Sequence, residues 1–431
     1  MAWRGGGTGT SFTNAANWAG NEAPGVDSRV CFDGDATVSL DCPCTVREVT
    51  VSAGTTVVPY STNVLTVVRS LTVEGGAKLS MNAPLSVANN LIVRADGVLT
   101  HEAQSSALIA KACTNRLQVA VGGDLVVEAK GSVDVSRKGF SSACQGGYGL
   151  GNKHGASHGG GGFDKRDTQV IACYDSFFRP SEPGSSCVTG DAGNEAGGVA
   201  ILHVGGVVTV EGSIRSDSGS GNSYVASGGS IWITARDLAG AGAITADCGF
   251  YLFSSSSPAG GGRIAVWLDE GVFANWSGTM TAYPTRGDSG VGRPAGEPGT
   301  IYLQRGDEGD LCGTVYVRGM NDAIEHSGYA FVEIPVEGWN DKRDFENVKF
   351  VISGSAAVKF AADMKIADID LQAVGTVRPQ VFLDDHAVKV ETLDHRKGRG
   401  WCDGYDNLVN AGSEGRGRFL WPQKGLMLFV R

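Results

Sequence analysis

Apolar and polar positions alternate in short bursts along most of this chain, with Gly, Asn and Asp between the bursts. That is the period of a strand, not of a helix. "LTVVRSLTV" (65–73) set above "LSVANNLIV" (85–93) places Leu65, Val67, Leu71 and Val73 over Leu85, Val87, Leu91 and Val93 at an offset of twenty residues. "LQVAVGGDLVV" (117–127) repeats the pattern with a two-residue expansion, and "ILHVGGVVTV" (201–210) repeats it again after a long interruption. Each burst is followed by a turn such as "EGGAKLSM", "RADGVLTH" or "EAKGSVDV". One such coil cannot bury its own inward row, so coils must stack, Leu on Leu and Val on Val. The pattern predicts an all-β parallel solenoid, a right-handed parallel β-helix with capped ends and a long glycine-rich insertion.

The same pattern sets the organisation. A chain of 431 residues exceeds a usual globular domain, but an elongated rod with coils about 4.8 Å apart accommodates it as one unit. Residues 1–45 read as an N-terminal cap in which Trp3 and Trp18 cover the first coil. Residues 46–395 read as the β-helix, interrupted at about 139–200, and 396–431 as a closing segment ending in "LMLFVR". The blocks at 347–377 and 386–395 continue the strand pattern, and no linker is visible.

Composition narrows the function. The net charge of −10 opposes nucleic acid and acidic membrane surfaces, and no Lys/Arg stripe offsets it. It also disfavours a strongly anionic polysaccharide unless a basic patch exists locally. No stretch is long and apolar enough for a membrane span, and the first residues lack a signal-peptide pattern, so an exported form would have lost its export signal. Ten cysteines are scattered without C-x-x-C spacing. A disulfide such as Cys173 with Cys187 suits an exported protein, and buried free thiols suit a solenoid equally well.

"TNAANWAG…PGVDSRVCFDG" resembles the opening of autotransporter-associated and related secreted bacterial β-helix proteins. "GASHGGGG…GGVAILHVGG…GGSIWITARDLAGAGAITADCG…AGGGRIAVWL" (155–268) is similar to their glycine-rich β-helix module, GGSIWI and GGGRIA being its most specific part. The resemblance covers about two-thirds of the chain and implies the fold and a secreted or cell-surface location. It does not imply one function, because such scaffolds host adhesins, passengers, lyases and hydrolases. This chain departs from the module at "FYLFSSSSP" (250–258), where a specific site would fit.

Candidate chemistry concentrates in the insertion. A lyase on uronic-acid polymers needs a base, a cation beside the carboxylate and an acid. Tyr148, Lys153, His154, His158, Lys165 and Arg166 supply those types, while a glycine-rich bend that merely carries histidines is the plainer alternative. A metal site on His154 and His158 would draw on Cys144, Asp164 or Cys173, but "HGASHGGGG" cannot hold the pair on a helix. No metal or cofactor is therefore expected. Tyr174, Phe177, Phe178, Tyr251 and Phe253 are aromatics outside the core period that would stack on sugars or pack under a loop. Asp368 with Asp370 and Asp384 with Asp385 are carboxylate pairs, the latter reading as a solvated turn. The sequence thus suggests a β-solenoid that binds polysaccharide or a cell-surface glycan, or serves adhesion or structure. A carbohydrate-active enzyme beside the insertion, a polysaccharide lyase before a glycoside hydrolase, is the alternative.

Overall fold

A computed structural model describes residues 1–104, 115–141, 155–162, 172–186, 195–220, 225–249, 258–285, 296–320 and 330–391, with the backbone of 408–409 and 418–420. The unit is a three-strand coil. Leu65–Val67, Leu71–Val73 and Lys78–Met81 make one coil, and Leu85–Val87, Leu91–Val93 and Val98–Thr100 make the next. Leu65 pairs with Leu85, Val67 with Val87, Leu71 with Leu91 and Val73 with Val93. The twenty-residue offset is therefore one coil rise. In the Leu-x-Val strands of these coils the outer two side chains are buried and the middle one is not, as strand alternation requires.

Farther along, the added residues of 117–127 lengthen a strand at its start, so that Val119 and Val121 stand over Leu85 and Val87. Leu117 then pairs with Ala200 in a widened sheet. Repetition gives three sheets of seven, eight and eleven strands. The corner between the first two sheets needs left-handed backbone, and Gly54, Gly76, Asp96 and Lys130 occupy it with φ between +61° and +75°. At the N-terminus Trp18 meets Trp3 and Phe12 edge-on at 5.0 and 5.1 Å, its indole N–H donating to Phe12 O. These rings cover the end of the core.

Long excursions leave from one corner, between second-sheet and third-sheet strands: Val98–Thr100 to Leu117–Val121, Ser132–Asp134 to Val199–Val204, Ser213–Arg215 to Ser230–Ala235, Ala243–Thr245 to Arg263–Leu268, and Thr279–Thr281 to Thr300–Gln304. Each later excursion is closed at its neck by a backbone bond, Gly198 N to Val135 O, Gly229 N to Ser216 O, Gly262 N to Ala246 O and Gly299 N to Ala282 O, at 2.7–2.9 Å. The two chains pass too close for a side chain. A Cβ on Gly229 would lie 2.2 Å from Gly198 O, and one on Gly262 2.2 Å from Gly229 O. The glycines of GGSIWI and GGGRIA are the necks of these excursions.

The rod is not one continuous solenoid of uniform direction. Thr314–Arg318 pairs antiparallel with Thr300–Gln304, while Lys349–Ser353 and Asp368–Gln372 continue the same sheet parallel to Thr314–Arg318. Across this reversal the core changes face. Ile231, Ile264 and Ile301 point into the first core, and the alternate residues Ala265 and Tyr302 lie in the second, where Tyr302 pairs with Val315 and Val315 with Phe350. Reversing the strand direction and the interior face together while the stack continues leaves both lobes wound with the same hand. The sequence pattern carries no sign of this reversal, because alternation reads alike in both directions.

Candidate functional site

The described part of the insertion packs onto the rod rather than projecting from it. Residues 155–162 are buried against the excursion necks: Gly159 N and Gly160 N both donate to Gly261 O at 3.0 Å, and Gly161 N donates to Phe331 O. A Cβ on Gly160 would lie 2.0 Å from Glu297 O, so the glycine run is a packing requirement. His158 is wholly buried on the Tyr174 ring, 4.6 Å between centroids. Its Nδ1 is 2.8 Å from Gly228 O, and since a carbonyl only accepts, Nδ1 carries the proton. Nε2 lies 3.3 Å from Asp175 Oδ2 and 3.4 Å from Ser230 Oγ.

Asp175, in left-handed backbone at φ +69°, gathers the N–H groups of Ser176, Ser181 and Glu182. Ser230 Oγ stands 2.9 Å from Asp175 Oδ2 and 2.6 Å from Glu182 O. Serine, histidine and aspartate are thus together, but not as a nucleophilic triad. That chemistry requires the carboxylate on the ring nitrogen opposite the nucleophile. Here the carboxylate and the hydroxyl crowd the same nitrogen, the other is held by a carbonyl, and all three side chains have no solvent exposure. The cluster is an anchor for the insertion.

Three of the aromatic candidates are buried as well. Tyr174, Phe177 and Phe178 are 2%, 0% and 4% exposed, so none offers a face to a sugar. Phe178 meets Tyr302 edge-on at 4.9 Å and Phe345 at 5.2 Å, and Phe177 meets Phe345 at 5.3 Å. They close the start of the second core against the outer face of the third sheet. Beside them Arg263 is buried with its guanidinium 4.3 Å from the Phe177 centroid, donating to Tyr174 O and Thr300 Oγ1. Its Nη2 has no partner among the described residues.

Tyr148, Lys153, His154, Lys165, Arg166, Tyr251 and Phe253 lie outside the described residues, as do Cys144, Asp164 and Cys187. Cys173 is a free, buried thiol, pushed up to about 12 chiefly by burial. No group of three or more His, Cys, Asp or Glu suited to a metal occurs among the described residues. Asp384 sits in a left-handed turn and pairs with Lys359 at 2.9 Å. Asp370 meets Gln372, while Asp368 caps the Ile369 N–H.

A concave surface does occur at the excursion corner. A groove of about 270 Å³ is lined by Tyr60, Thr62, Asn82, Arg116 and Gln118 among others. Tyr60 is 57% exposed, and Thr62 and Gln118 are exposed beside it. The loop carrying Tyr60 is fixed: Ser61 Oγ and Asn63 Nδ2 both donate to Leu40 O, at 3.2 and 2.9 Å. Asn82 is fixed too, its amide donating to Val58 O and accepting from Glu102 N. The groove combines an exposed ring face, on a loop whose neighbouring residues are fixed, with a hydroxyl, an amide and a guanidinium. Sequence reading passed over it because Tyr60 stands alone in "PYSTN", and only stacking of the coils brings Arg116 and Gln118 alongside. No family model matches the chain, and neither a curated protein nor a solved structure matches it.

Proposed function

We propose that this protein is a right-handed parallel β-helix, secreted or displayed at the cell surface, that binds polysaccharide at the groove around Tyr60. The hand is supported by the near-universal right-handedness of crossovers between parallel strands, and the location by the resemblance to secreted bacterial β-helix modules. The observation that carries the binding reading is the exposed Tyr60 ring over a groove with hydroxyl, amide and guanidinium groups on its walls. A pyranose has an apolar face for the ring and equatorial hydroxyls for such walls. Adhesion to a glycan-bearing surface is the corresponding role. The burial of His158, Tyr174 and Phe177 favours binding over the lyase or hydrolase alternative.

The test is affinity electrophoresis against a panel of plant, algal and mucin polysaccharides. Retardation by at least one of them, reduced roughly tenfold in affinity by Tyr60→Ala, is the expected result, since loss of a stacked ring costs about 1–2 kcal/mol. Migration unaffected by every polysaccharide would reject the reading. New reducing ends or ultraviolet-absorbing unsaturated products would replace it with the enzymatic one.

A further inference from the structure

The buried anchor of the insertion holds a turn at 176–182 from which only the Arg179 side chain is exposed. Phe178 N and Arg179 N both donate to Ser176 Oγ at 3.2 Å, and Asp175 fixes the base of the same turn through the N–H groups of Ser176, Ser181 and Glu182. The exposed Arg179 guanidinium is thereby held 5.4 Å from the centroid of the half-buried Trp267 ring. Trp267 is itself locked, its indole N–H donating to Phe178 O at 2.7 Å and its ring lying against Tyr302 at 5.5 Å.

The surroundings extend this platform along the rod. Thr234 pairs with Trp267 on the adjoining coil, His203 Nδ1 meets Thr234 Oγ1 at 2.9 Å, and His203 packs edge-on against the half-buried Trp232 at 4.7 Å. Gln118 of the Tyr60 groove pairs with Ile201, which pairs with Trp232. Trp267 lies one coil beyond Trp232, so the Gln118 wall of the groove and the platform share one outer face of the third sheet, three coil steps or about 14 Å apart.

We propose that Arg179 and Trp267 form a second subsite, for an anionic sugar, on the path of the chain bound at Tyr60. The guanidinium would fork onto a carboxylate or sulfate while the pyranose lies over the indole and imidazole edges. This rests on the polysaccharide reading and adds the class of ligand. It also gives the insertion's buried His158 and Asp175, with Ser230 of the adjoining strand, a purpose: they support the turn that carries Arg179. Against a chain of net charge −10, an arginine fixed on an aromatic supplies the local cation that an acidic glycan requires.

The experiment is isothermal titration of the full chain with three probes, an oligogalacturonate hexamer, a sulfated heparin-derived hexasaccharide and neutral maltohexaose, at low and high salt. At least one acidic hexamer should bind roughly tenfold or more tightly than maltohexaose, with salt weakening it. Arg179→Gln should remove about that factor, and Arg179→Lys should restore part of it, because glutamine loses the charge while lysine keeps it without the bidentate fork. The carboxylated and sulfated probes tell which anion is preferred. Unchanged acidic binding in Arg179→Gln overturns the subsite, and if Tyr60→Ala still weakens the same probe, the polysaccharide reading survives. Binding of none of the hexamers, with none of the panel polysaccharides retarding the protein, overturns both.

Discussion

Replacing Gly262 by alanine isolates the physics of the excursion necks. The added Cβ would stand 2.2 Å from Gly229 O and 2.8 Å from Gly228 C, more than an ångström inside ordinary contact with the former. Neither neighbour is a side-chain end that can swing away. Gly229 O already accepts the Arg263 N–H at 2.9 Å, and Gly262 N donates to Ala246 O at 2.9 Å. Relief therefore requires the neck to open and one or both buried bonds to break. Overpacking costs about 1–3 kcal/mol, and each buried group left unsatisfied adds about 1–3 kcal/mol. Gly262→Ala should lose about 3–5 kcal/mol. Gly25, whose Cβ would meet nothing within 4 Å, is the matched control, and Gly25→Ala should change stability by less than about 0.5 kcal/mol. Urea denaturation followed by tryptophan fluorescence measures both. A Gly262→Ala midpoint equal to that of the wild type would refute the neck argument.

Further expectations follow from the joint and the buried ionisable groups. Phe178→Ala removes a ring that is 4% exposed and meets Tyr302 and Phe345, so denaturant unfolding should show a loss of about 3–5 kcal/mol; a loss below about 1 kcal/mol would place Phe178 at the surface. His101 is buried, donating from Nδ1 to Glu102 O and accepting the Val199 N–H at Nε2, and burial lowers it from 6.5 to about 4. The unfolded chain binds the extra proton between those values, so the His101 contribution of about 3 kcal/mol is present above pH 6.5 and lost as pH falls toward 4. Glu182 opposes it, raised from 4.5 to about 7 chiefly by burial. Its penalty grows as pH rises from 4.5 to 7, on the order of 1–2 kcal/mol after allowance for its partial exposure. Stability curves from pH 4 to 8 should therefore fall with rising pH in His101→Gln and rise with pH in Glu182→Gln, and identical slopes would contradict both assignments. Cys173, buried and raised to about 12, should stay unreactive to a thiol reagent in the native protein while the exposed Cys42 reacts; labelling mass spectrometry distinguishes them.

The columns were legible in the sequence because Leu and Val recur at the interval the coil imposes, and Leu65 over Leu85 is that interval. The glycine motifs were visible as motifs, but their cause was not. Gly229 and Gly262 meet backbone from a neighbouring coil, and no local pattern reports that approach. The reversal after Gln304 was hidden for a different reason: "GTVYVRG" has the same alternation whether it runs with or against its neighbour, so register and direction are set by tertiary contact. The insertion was misleading in composition. Gly, His and Ser at 155–162 look solvated, yet the second lobe seals them in, and Phe177 and Phe178 become core only once Phe345, far along the chain, is brought against them. Tyr60 carried no signal beyond being an aromatic in a turn.

The claim that residues 155–162 and 172–186 form an interior joint is tested most directly by native-state hydrogen exchange at the amides of Gly160, Ser181 and Glu182, which donate to Gly261 O and Asp175. Protection comparable to that of the Leu85–Val87 and Leu91–Val93 strands is predicted, since buried, bonded amides exchange only when the surrounding structure opens. Exchange as fast as in an exposed turn, with those strands still protected, would contradict it.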